Sequence, residues 1–191
     1  MQIDETFELP FSKAVVWQAF QNLEMLVDCL PGAQLTSPNG QTPLELSFQV
    51  KMGPISATFA GQGEITYDSS THSGRFSGQG TDRKNNSRVK GEARFFLHES
   101  DGQRTRVDVN VEFALTGALA QFGRLGIVKE IASNITAQFA SNLKVKLVPE
   151  VLGPSSVTSE FAHATAAPQL NMGSVFWKML KQRLKRWLGR A

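Results

Sequence analysis

The 191-residue chain is poor in the residues that most often announce chemistry: it holds 1 cysteine, 3 histidines and 1 tyrosine. A lone thiol, Cys29, cannot form an intramolecular disulfide, which points to a reducing cytoplasm. His72, His98 and His163 stand singly, without the paired spacing of a metal site, so no bound metal is expected. No stretch reaches the roughly 18 consecutive apolar residues of a spanning helix. The start MQIDETFELP is acidic and lacks the basic region and apolar run of a secretory signal. Gly61-Gln62-Gly63 and Gly78-Gln79-Gly80 lack the third glycine and the helix start of a dinucleotide fingerprint. The glycines at 117, 123 and 126 precede no Lys-Ser/Thr of a phosphate loop. Asn85-Asn86-Ser87 and Asn134-Ile135-Thr136 match a glycosylation pattern that has no meaning in a cytoplasmic protein.

What is present is ordinary for a folded domain, 41% hydrophobic and 19% charged. The length suits one domain with an appendage. The formal net charge of +3 is unevenly placed: beyond residue 148 six basic residues between Lys178 and Arg190 face only Glu150 and Glu160, so +4 belongs to the tail and −1 to the body.

Met1 to Leu9 reads as a strand ended by Pro10. Ser12 is placed to cap a helix, and Val15, Val16, Ala19, Phe20 and Leu23 lead at helical spacing into a second apolar cluster, Met25 to Leu30. Two short helices closing at Pro31-Gly32 are predicted. Five segments then alternate apolar and polar residues with a period of two, as antiparallel strands with one buried face do. Their inward sets are Leu44, Leu46, Phe48, Val50 and Met52; Ile55, Ala57, Phe59, Gly61, Gly63, Ile65 and Tyr67; Phe76, Gly78 and Gly80; Val89, Gly91, Ala93, Phe95 and Leu97; and Val107, Val109, Val111, Phe113 and Leu115. From Ala118 to Val148 the period becomes helical, with Leu119, Phe122, Leu125, Val128, Ile131, Ile135, Phe139, Leu143 and Leu147 in one stripe. Gly123 and Gly126 predict a break or close approach near its start.

None of the inward positions of those five segments is Asp, Glu, Lys, Arg or His, and Tyr67 carries their only polar side chain. Acid-base or nucleophilic catalysis needs titratable groups converging on a pocket, so the pattern argues against an enzyme. Only loop residues such as Asp28, His72 or Asp82 are left to reach a cavity mouth. Small residues recur at mid-strand instead: Gly61 and Gly63, Gly78 and Gly80, Gly91 and Ala93. They fit sharp sheet curvature, and equally an apolar cavity rimmed by Phe48, Phe59, Phe76, Phe95 and Phe113 and closed from the helix side by Phe122, Ile131 and Ile135.

The stretches CLPGA (Cys29 to Ala33), KMGPISATFAGQGEI (Lys51 to Ile65), RVKGEARFFL (Arg88 to Leu97) and LTGALAQFGRLGIVKEIASNITAQFASNL (Leu115 to Leu143) resemble the carbon monoxide dehydrogenase G-subunit family. The resemblance spans roughly residues 1–148. It implies an α+β, START-like helix-grip fold of the SRPBCC superfamily, a curved antiparallel sheet wrapped around a long helix. It also implies a non-catalytic accessory protein for a molybdenum hydroxylase of the carbon monoxide dehydrogenase type. Such a protein recruits the enzyme to the cytoplasmic membrane and holds a quinone, menaquinone or ubiquinone, in the apolar cavity for electron delivery. No covalently bound cofactor is implied. A lipid carrier and a polyketide cyclase-like enzyme of the same fold are the alternatives.

Residues 149–172 lose periodicity and contain three prolines. They read as a linker, with a reach of about 25 to 30 Å as a flexible coil. In residues 173–191, Ser174 can cap a helix whose face of Phe176, Trp177, Leu180, Leu184, Trp187 and Leu188 opposes Lys178, Lys185 and Arg186, with Lys181 and Arg183 on the flanks. A basic polar face and tryptophans on the apolar one suit the interface of an anionic membrane, each cation contributing roughly 1 kcal/mol. Nucleic acid is not expected, because the cations share one short segment with a strongly apolar face. The sequence thus predicts a helix-grip domain at 1–148, a linker at 149–172 and a membrane-binding helix at 173–191. The protein is expected at the cytoplasmic face of the membrane, with an apolar small molecule as ligand.

Overall fold

A computed structural model describes residues 1–37, 42–52, 55–124 and 126–152. The predicted linker beyond residue 152 and the predicted membrane helix, with all its proposed membrane-binding residues from Phe176 to Leu188, lie outside the described residues.

The chain begins with strand β1 (Gln2–Leu9), followed by helices α1 (Lys13–Gln21) and α2 (Leu23–Cys29). Ser12 occupies the N-cap of α1, but its side chain makes no capping bond; the Asn22 side chain does cap α2, accepting from the Met25 N–H at 3.1 Å. Strands β2 (Ala33–Leu35), β3 (Leu44–Met52), β4 (Ile55–Asp68), β5 (Ser73–Asp82), β6 (Ser87–Glu99) and β7 (Thr105–Gly117) follow. They form one seven-stranded antiparallel sheet in the order β1-β7-β6-β5-β4-β3-β2, a meander whose first strand returns beside its last. The short β2 has no periodicity of its own in three residues, and pairing with Leu46–Phe48 of β3 makes it a strand. Gly32, at φ +81°, admits this pairing: its carbonyl accepts from the Gln49 N–H at 2.8 Å, and a Cβ there would collide with the Gln49 backbone.

The stripe expected to be one helix is two pieces. A 3₁₀ segment covers Ala118–Arg124, and α3 covers Ile127–Leu152. Gly126 lies between them at φ +69°, a conformation that β-carbon-bearing residues adopt at a cost. At its other end α3 runs through Pro149 to Leu152, four residues past the expected end.

Burial is concentrated at two ends of the sheet. Leu9, Val16, Trp17, Ala19, Phe20, Cys29, Phe95, Leu97, Val107, Leu143 and Leu147 form one packed cluster, where α1, α2 and the C-terminal half of α3 close the sheet. The second cluster is small, Ala57 and Leu119, with Val50, Ile55, Phe59, Leu115, Phe122 and Ile131 packed around it. The backbone of α3 comes close to β1, α2 and the 3₁₀ segment rather than to β3, β4 or β5. Asn142 Nδ2 donates to the Cys29 carbonyl at 2.9 Å, and Lys146 Nζ to Asp28 at 2.9 Å, tying helix to helix. The long helix is thus held along one edge and at one end.

Candidate functional site

The register arranges the inner face into transverse rows. Nearest the large cluster lies Tyr67–Gly74–Phe95–Val109–Glu5, read from β4 to β1 through β5, β6 and β7. Next come Ile65–Phe76–Ala93–Val111–Ile3, then Leu44–Gly63–Gly78–Gly91–Phe113, then Leu46–Gly61–Gly80–Val89–Leu115. Strand pairing therefore does bring the mid-strand glycines together, three of them side by side in one row.

They leave no vacancy. A Cβ on Gly91 would stand 2.8 Å from the Glu112 carbonyl oxygen and 2.8 Å from Phe113 Cβ, and one on Gly80 would stand 3.2 Å from Phe59 Cβ. On Gly61 it would strike the backbone of β5 at Gln79, and on Gly63 the Phe76 ring, which also lies 3.0 Å from the Cβ position of Gly78. Glycine here is the consequence of close strand approach and of rings laid across the neighbouring strand. Of the two readings open from the sequence, the structure supports curvature for these positions.

Between the two clusters the inner face keeps apolar side chains that neither covers. Phe48, Phe76, Ala93, Phe113 and Ile135 are half-buried and belong to neither packed end, as are Val89 and Val111 beside them. Phe59, Phe122 and Ile131 pack around the small cluster. Phe95 departs from expectation: at 8% exposure it is core, its ring 4.8 Å from that of Phe20. What remains is a band of three rows, about 13 Å from first to last at the rise of an antiparallel strand. Its walls are apolar.

Within these four rows, polar side chains occur only in the first. Sequence reasoning missed Glu5, because β1 was given no inward face; pairing with Val109 turns it inward, and its carboxylate accepts from Ser133 Oγ of α3 at 2.6 Å. The signal was the alternation of Ile3, Phe7 and Leu9, on whose parity Glu5 falls. Tyr67 lies across the same row, and its hydroxyl is the only buried side-chain oxygen or nitrogen without a hydrogen-bond partner among the described residues. Burial raises its phenol above the usual value.

The loop residues that a catalytic reading needs are engaged elsewhere. Asp28 holds Lys146. The His72 ring meets the Trp17 ring edge-on at 5.3 Å. Asp82, 2% exposed, accepts from the Thr58 N–H at 3.1 Å and from Asn85 through its backbone N–H at 3.1 Å and its amide at 2.6 Å. Burial opposes ionisation of Asp82, but these donors and the Lys84 N–H outweigh it and hold the carboxyl below the ordinary range. Among the described residues no group of His, Cys, Asp and Glu is arranged to hold a metal ion.

The outer face carries a groove of about 740 Å³ lined by Thr36, Glu45, Gln62, Gln79, Arg88 and Lys90 among others, and a smaller one of about 170 Å³ near Arg75, Arg94 and Phe96. These positions alternate with the inward ones along each strand. Their amides, hydroxyls and charges do not suit an apolar ligand.

A curved antiparallel meander gripping one long helix, closed at one end by two short helices, defines a helix-grip domain of the START-like class. Solved structures agree. A conserved protein from Geobacillus kaustophilus superimposes with a TM-score of 0.67 at 14% identity, over 77% of this chain and 95% of that one. The Zhui aromatase/cyclase from Streptomyces sp. R1128 gives 0.57 at 12% identity, over 79% and 95%. A START superfamily protein from Mycobacterium smegmatis gives 0.50 at 16% identity, over 80% and 99%. At such identities the likeness concerns the fold. A search of curated protein sequences returns no match. The family model of the carbon monoxide dehydrogenase G-subunit, CoxG, matches residues 6–148, and the chain belongs to that family.

Proposed function

We propose that the protein is a non-catalytic accessory protein that holds a quinone or similar neutral apolar molecule between sheet and helix and brings a molybdenum hydroxylase of the carbon monoxide dehydrogenase type to the membrane. The observation that carries the ligand is the band of half-buried apolar side chains around Phe48, Phe76, Ala93 and Phe113, left uncovered between two packed ends. Exposed apolar surface on an inner face is costly at about 25 cal/mol per Å², and a flat apolar ligand removes that cost. Membership of the CoxG family supports the partner enzyme. The segment from Phe176 to Leu188 supports the membrane through its tryptophans, leucines and cations at amphipathic spacing.

A cyclase-like reading draws on the fold shared with the aromatase/cyclase. It would require an acid or base free to act in the band. Glu5 lies in the first row, outside the band, and Tyr67 is a phenol pushed toward its neutral form, so the interior suits binding. The test is reconstitution of the purified partner enzyme with quinone-loaded anionic liposomes. Quinone reduction should depend on the added protein; a rate that does not change when it is omitted refutes the proposal.

A further inference from the structure

We infer that the Tyr67 hydroxyl is the polar anchor of the chamber, donating a hydrogen bond to a neutral carbonyl oxygen of the bound ligand. The inference rests on the ligand-binding reading above and adds the atom that orients the ligand. A buried hydroxyl without a partner forfeits its hydration, and the arrangement persists when some state of the protein satisfies it. Tyr67 is placed to be satisfied from the chamber side. It sits on the inner face at the rim of the large cluster, and two residues along β4 its neighbour Ile65 belongs to the first open row with Phe76 and Ala93. That separation is about 7 Å along a strand. The Trp17 and Phe95 rings stand edge-on to Tyr67, with centroids at 6.1 Å and 6.4 Å. Both rings pack against Tyr67, and a carbonyl of a flat ligand would meet the hydroxyl as Trp17 and Phe95 part by side-chain rotation.

The chemistry narrows the ligand. The inward positions of β3 to β7 between the two clusters carry no Lys, Arg or His, so a carboxylate or phosphate would be buried there without a counter-charge. A ketone or quinone oxygen accepts one hydrogen bond and needs no cation. Tyr67 stays protonated well beyond neutral pH and remains a donor.

The test uses the full chain and two probes of similar shape, menadione and 2-methylnaphthalene, with Tyr67→Phe as the variant and titration calorimetry as the readout. Menadione affinity should fall about 3- to 10-fold in the variant, while affinity for the hydrocarbon stays unchanged. Unchanged menadione affinity would overturn the anchor and leave the chamber standing; wild-type protein that binds neither probe would sink both. Equal loss for both probes would assign Tyr67 to ring packing and overturn the anchor. Loss of an unpaired hydroxyl should leave the melting temperature of the ligand-free variant unchanged or raised, and a clear drop would reveal an internal partner. Independent of any variant, the carbonyl stretch of menadione bound to wild-type protein should lie below its frequency in hexane. A hexane-like frequency would overturn the proposal.

Discussion

The open band can be tested with a single side chain. Ala93 stands in the first open row, paired with Phe76 and Val111, half-buried and outside both clusters. Replacing its methyl with the isobutyl group of leucine should fill space that a ligand needs. If that space is free, Ala93→Leu costs less than about 1 kcal/mol and gains up to about 2 kcal/mol by covering neighbouring apolar surface. If the interior is already full, overpacking should cost about 1 to 3 kcal/mol. For a domain of this size 1 kcal/mol corresponds to roughly 2 to 4 °C in melting temperature, so a thermal scan separates the cases. Menadione affinity, read by calorimetry, should fall at least about tenfold, some 1.4 kcal/mol. A variant that melts several degrees lower, or binds menadione as the wild type does, refutes the reasoning. The glycines make poor plugs: with a Cβ at Gly91 2.8 Å from the Glu112 carbonyl, Gly91→Leu should distort the β6–β7 pairing before it fills anything.

Asp82→Ala should cost about 2 to 3 kcal/mol at neutral pH by stranding the Thr58 and Asn85 donors, measurable by urea titration. Because the folded carboxyl is held low, its contribution is complete above the unfolded value near 3.9 and fades as pH falls through the folded one. The variant should therefore lose less stability on acidification, and parallel acid profiles would contradict this. Glu5→Gln and Ser133→Ala should each cost about 1 kcal/mol, with a double-mutant coupling of at least about 0.5 kcal/mol because the two side chains meet at 2.6 Å; additive effects would deny the link. Deleting residues 173–191 should preserve the melting transition and abolish co-sedimentation with anionic vesicles, which in the full chain should weaken with salt; undiminished co-sedimentation would remove the membrane helix from the account.

Much of the fold was legible because each strand from β3 to β7 alternates cleanly. Leu44 to Met52, for example, shows its period without any tertiary information. Three features were not. Strand β2 is three residues long and exists through its pairing with β3. Phe95 reads as a chamber residue from its parity, but α1 brings Phe20 against it, and helix docking leaves no trace in a strand's own period. The glycines had two physical readings with one sequence signature; only the distances at Gly91 and Gly80 decide between them.

Glu5 bears on the enzyme question in a way the other strands do not. An inward carboxylate on an edge strand would weaken the argument from an uncharged interior if it faced the open band. It lies in the first row instead and accepts from the Ser133 hydroxyl of α3, so it sits at the seam where helix meets edge strand. Phe7, two residues on, meets the Phe139 ring edge-on at 5.9 Å along the same seam. One polar and one aromatic contact thus fasten the helix to the edge of the sheet, and its backbone lies closer to β1 than to β3, β4 or β5. A domain hinged in this manner would admit a flat ligand from the β3 side by a small displacement of α3 that leaves the β1 seam intact. Weakening that seam with Ser133→Ala should accordingly leave menadione binding and release rates, read by stopped flow, unchanged, and a clearly faster release would place the route at the β1 edge instead.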